Sequence, residues 1–118
     1  MVRVRSLLNA WPDVNATDRE GNTALMFAAC GCGPASTEDS LELMRLLLAN
    51  GADPNLKNNS AETALMIAAA RGRLDAVVLL VEHGAQAKKM DLYGDTALTL
   101  AEHAGYGEIA ERLRTLKR

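Results

Sequence analysis

Apolar residues in this chain return at helical spacing, in segments separated by polar turns. Leu65, Ala68 and Ala69 fall at the i, i+3, i+4 positions of one helix face, and Leu74, Val77, Leu80 and Val81 trace the same stripe on a second. The order repeats on either side: Ala28-Ala29 and Leu41 to Leu48 come before it, Ala101 and Ile109 to Leu113 after it. Thr23, Thr63 and Thr96 each stand directly before a short apolar segment. A threonine hydroxyl there accepts a hydrogen bond from the unpaired first amides of a helix, so all three are predicted N-caps. Gly51 and Gly84 follow apolar runs where a helix must end. Asp18–Asn22 and Asp91–Asp95 each hold a glycine among polar residues, which signals a turn.

These segments keep a period. The cassettes Thr23-Ala-Leu-Met26, Thr63-Ala-Leu-Met66 and Thr96-Ala-Leu-Thr99 begin 40 and then 33 residues apart. A repeat of this length marks a stack in which each unit buries its apolar face on its neighbours. Composition fits: 48% of the 118 residues are apolar but only 3% aromatic, so the core must be Leu, Ala, Val and Met. A net charge of −2 gives no electrostatic case for nucleic acid. No apolar run approaches the roughly 20 residues of a membrane span, and the N-terminus lacks a signal-peptide core. The expectation is one soluble, intracellular and cytoplasmic domain, a monomer without membrane or nucleic-acid partners and without a cofactor.

The three cassettes in register with the Gly51-Ala52-Asp53 and Gly84-Ala85 steps resemble the ankyrin repeat family from about Val2 to Leu116. The resemblance implies an all-α repeat solenoid, a stack of antiparallel helix pairs joined by β-hairpin fingers. It divides the chain into an N-terminal half repeat (1–17), a repeat with a seven-residue inter-helix insertion (18–57), a regular repeat (58–90) and a C-terminal capping repeat (91–118). Val4, Leu7 and Leu8 would supply the half repeat, with Arg3, Arg5 and Ser6 facing outward and Trp11 packed over the edge. Arg112 and Arg114 stand where earlier units have apolar residues, giving the far end a polar outer face.

Several positions depart from the family pattern. The usual histidine is Met26, Met66 and Thr99, so apolar packing must replace its hydrogen bonds in two units. Ala61 takes the place of a finger glycine, and strain follows if that position needs φ > 0. The extra residues lie between Ala29 and Leu41, within the Gly31–Ser40 stretch, and Ser36-Thr37-Glu38-Asp39 reads as a helix start that begins the second helix a turn early. Cys30 and Cys32 supply at most half of a zinc site, and their closeness argues for reduced thiols over a strained disulfide. No nucleophile–base, phosphate-loop or metalloprotease motif occurs, so no enzyme activity and no catalytic or metal residues are expected.

Binding is the remaining function class. Ankyrin partners lie against the finger tips and first helices, which together make a concave face. Matched position by position, that face offers Arg19, Glu20 and Asn22 from the first finger. The second gives Lys57, Asn59, Ser60 and Glu62, with Ala70 and Arg71 behind. The third gives Met90, Leu92, Tyr93 and Asp95, with His103 and Ala104 behind. Met90, Leu92 and Tyr93 stand out, since apolar residues at a solvated tip have no folding role unless Leu92 tucks into the next finger. The expected function is a protein–protein interaction module. An alternative is an ankyrin-type inhibitor of an enzyme such as a kinase, because small inhibitors of cyclin-dependent kinases are similar at Asp91-Leu-Tyr-Gly94 and Ala101-Glu-His-Ala-Gly105. A further alternative is a metal or redox module through Cys30 and Cys32.

Overall fold

The computed structural model describes residues 14–31 and 37–115. The readings placed on Val4, Leu7, Leu8, Trp11 and the centre of the insertion lie outside these residues. Among the described residues there are six helices and no strand: α1 (Ala24–Cys30), α2 (Thr37–Ala49), α3 (Ala64–Ala70), α4 (Leu74–Glu82), α5 (Ala97–Ala104) and α6 (Gly107–Arg114). They pair as α1 with α2, α3 with α4 and α5 with α6. The first helices α1, α3 and α5 pack side by side in one layer, and α2, α4 and α6 line up behind them.

The first helices form where the cassettes predicted. Thr23, Thr63 and Thr96 sit in extended backbone, and their hydroxyls accept from the amides of Met26, Met66 and Thr99. Met26 and Met66 are buried, as apolar replacements for histidine must be. Thr99 keeps a polar solution, its hydroxyl accepting from the Thr96 amide at 2.7 Å, which closes a reciprocal capping box. Small residues let the first helices approach closely: Ala29, Ala68, Ala69 and Ala101 have essentially no exposed surface. Leu25, Leu65, Met44, Leu47, Val77 and Leu80 fill the space between the layers. The helix α2 starts at Thr37, a full turn before Leu41, with Glu38 and Asp39 in its first turn where the helix dipole favours acids.

The predicted β-hairpin fingers are tight turns rather than strands among the described residues. Each is closed in the same way. Asp18, Asn58 and Asp91 accept, through Oδ1, the amides two and four residues on, all at 2.9 Å. This side-chain mimicry of a backbone turn is why Asp and Asn recur there. Neighbouring turns are joined by single backbone bonds, Asn59 N–H to the Glu20 carbonyl at 2.8 Å and Leu92 N–H to the Ser60 carbonyl at 3.2 Å. One contact between adjacent turns leaves them too short for a ladder. The left-handed position of each turn holds Gly21, Ala61 and Gly94, with φ of 81°, 61° and 82°. No described helix is long and apolar enough to cross a membrane.

Candidate protein-binding face

The turns and the exposed side of the first helices form one face. Between the first two units it sinks into a groove of about 410 Å³. Phe27, Ile67 and Ala70 give this groove an apolar lining; Glu20, Asn22 and Glu62 stand at its turn end, and Arg71 at the far end of α3. The groove thus brings together five of the residues predicted from sequence, Glu20, Asn22, Glu62, Ala70 and Arg71. Arg19, Lys57, Asn59, Ser60, Asp95 and His103 lie outside it, all at least partly exposed.

Several predicted residues already hold the turns in place. The Asn22 Oδ1 accepts from the Asn58 side chain at 2.9 Å, and the Glu62 carboxylate accepts from the same amide at 3.0 Å. Asn59 donates through Nδ2 to the Arg19 carbonyl at 3.1 Å. Lys57 donates from Nζ to the Met90 carbonyl at 3.1 Å, tying the second unit to the third. Glu20 and Arg71 make neither of the ion pairs found among the described residues, which join Arg45 to Glu42 and Arg114 to Glu102.

At the third turn Met90, Leu92 and Tyr93 are 55%, 70% and 88% exposed. Leu92 reaches the neighbouring turn only through its backbone amide and does not tuck its side chain away.

Residues 33–117 match the family described as ankyrin repeats in three copies. The chain belongs to the ankyrin repeat family. Human cyclin-dependent kinase 4 inhibitor B is 35% identical over 114 residues, which is 96% of this chain and 77% of the inhibitor. Mouse ankyrin repeat domain-containing protein 63 is 35% identical over 100 residues, or 85% of this chain but 25% of that protein. The glycerophosphocholine phosphodiesterase gde1 of Schizosaccharomyces pombe shares 34% over 113 residues, only 9% of its length. Ankyrin units thus recur in proteins of very different size, and such units mediate protein–protein interaction.

One exposed apolar residue on this face escaped sequence reasoning. Phe27 is the chain's only phenylalanine and is 49% exposed. Its counterparts four residues after each capping threonine are Ile67 and Leu100, both only partly exposed. Aligning the cassettes and asking which apolar side chain outgrows its siblings would have found it.

The cysteine reading needs correction. Cys30 is disulfide-bonded, not a reduced thiol, and its partner lies outside the described residues. A disulfide sulfur is no thiolate ligand, so a zinc site built on this pair loses its donors. Among the described residues no three His, Cys, Asp or Glu side chains cluster as metal ligands.

Proposed function

We propose that this ankyrin protein is a non-catalytic, cytoplasmic module that holds a protein partner against its turn tips and first helices. The observation that carries the reading is the exposure of Phe27, Met90, Leu92 and Tyr93, four large apolar side chains left open to solvent. Side chains of this kind anchor interfaces, with tyrosine among the commonest hot spots. The polar residues around them, Arg19, Asn59, Ser60, Asp95 and His103 among them, would form the rim. An affinity capture comparing wild type with a Phe27→Ala/Tyr93→Ala variant tests this. A protein held by the first and lost by the second is expected; equal retention would overturn the face and turn attention to the insertion before α2.

A second reading is inhibition of a kinase, favoured by the similarity to a cyclin-dependent kinase 4 inhibitor that extends over most of both chains. Adding the purified protein to active cyclin-dependent kinase 4 decides it. Loss of substrate phosphorylation at micromolar protein supports inhibition, and unchanged turnover removes it.

A further inference from the structure

The groove between the first two units is electrically two-ended. Glu20 and Glu62 line the turn end and Arg71 the other, with Phe27, Ile67 and Ala70 between them. From Glu62 to Arg71 the chain makes two extended steps through Thr63 and then seven along α3 at about 1.5 Å each, which sets the ends roughly 13 Å apart. That separation keeps the two charges from neutralising each other, and no salt bridge joins them. An apolar floor flanked by opposite charges in this order has a definite complement. In extended backbone at about 3.3 Å per residue, alternate side chains share one face, and four steps cover the same roughly 13 Å.

We infer that this groove receives an extended segment of the partner protein bearing a cation, an apolar residue and an anion at positions i, i+2 and i+4. The cation sits at Glu20 and Glu62, the apolar side chain between Phe27 and Ile67, and the anion at Arg71. The inference rests on the face proposed above and adds its chemistry: a basic or an acidic partner segment alone satisfies only half of the groove.

Three capped peptides test it by NMR titration of the full chain: Arg-Ser-Leu-Ser-Glu, Arg-Ser-Leu-Ser-Arg and Glu-Ser-Leu-Ser-Glu. The mixed peptide is expected to shift the amides of Phe27, Ile67 and Arg71, and to bind about threefold tighter than either single-sign peptide, the scale of one exposed ion pair. In an Arg71→Glu variant, whose unchanged amide spectrum elsewhere reports an intact fold, the preference should move to the doubly basic peptide. Equal affinity for all three peptides, or no shift at the groove, would overturn the inference. Shifts confined to Met90–Tyr93 would also overturn it, while leaving the wider face in place. Partner capture by the wild type and its loss with Tyr93→Ala would likewise be unaffected by failure here.

Discussion

The Arg73 guanidinium donates from Nη1 to the carbonyl of Ala28 at 2.6 Å, and to that of Ala29 at 3.3 Å. Arg73 precedes α4, so the second unit reaches back to satisfy the open carbonyls at the end of α1 in the first. Tyr106 holds the matching position one unit later, with its ring against Gly72. The same step in the repeat thus fastens each unit to the one before, once by charge and once by ring packing. Arg73→Ala should cost about 1–2 kcal/mol, since a charged donor on partly buried carbonyls is worth more than a neutral one. Urea unfolding checks this, and a loss under about 0.5 kcal/mol would show that water replaces the guanidinium freely.

Gly72 should tolerate a side chain poorly. A Cβ there would lie 2.6 Å from the Tyr106 ring, at φ of 73°, whereas at Gly84 nothing lies within 4 Å. Both alanine variants carry the left-handed penalty of about 1–2 kcal/mol, but only Gly72→Ala must also displace the ring. In a Tyr106→Ala background the two variants should become equally costly; a persistent gap in melting temperature would place the extra cost elsewhere.

Ala61 stands in the left-handed region at φ 61°, where the equivalent residues of the other two turns are glycine. Ala61→Gly releases about 1–2 kcal/mol of steric cost, and the greater freedom of glycine in the unfolded chain returns about half of it. A small rise in melting temperature is expected. A fall would mean that the turn has relaxed around alanine.

Burial in the middle of the stack should count for more than burial at its end. Leu65 and Leu113 are both nearly inaccessible, at 1% and 4%, yet Leu65 has units on both sides. Leu65→Ala should cost about 2–5 kcal/mol and Leu113→Ala less, because an end unit relaxes into the cavity. The reverse order in urea melts would contradict nearest-neighbour stacking.

The Asp18 carboxyl is held below its ordinary value of 3.8, chiefly by the amide of Asn22, with the amide of Glu20 helping and burial opposing. A lowered folded pKa means that its contribution to stability is complete above the unfolded value and is lost as pH falls through the folded one. Asp18→Asn keeps the turn acceptor, as Asn58 shows in the second unit, but removes the titration. The stability difference between the two proteins should be constant near neutrality and change only below about pH 4. A carboxyl titration by NMR at or above the ordinary value would refute the assignment.

Much of the fold was legible because its signals are local. Threonine caps, terminal glycines and Asx turns act within four residues, so each cassette carries its own instructions, and periodicity supplied the stacking. Even the early start of α2 followed from Glu38 and Asp39. The face was harder to read. Asn22, Asn59 and Glu62 look like free polar residues in sequence, yet each has a partner in a neighbouring turn or across its own, and register alone does not reveal such pairing. Phe27 went unnoticed because helical periodicity marks it as core, while its exposure depends on how far a large ring protrudes beyond the floor its siblings make. The disulfide at Cys30 was missed because the spacing of two cysteines along the sequence does not give the path of the chain between them.

On the side of the second helices, Asn15 donates to the Gly51 carbonyl and accepts from the Asp53 amide, and Asn55 does the same with Gly84 and Gln86. The next residue in this series is Lys88, whose ammonium has no acceptor to offer an incoming amide. The asparagine is therefore a coupling to the exit of the following unit's second helix, and lysine is a coupling with one half missing. The array is thus clasped by asparagine at two of its three steps, and its C-terminal repeat follows the one step that lacks it.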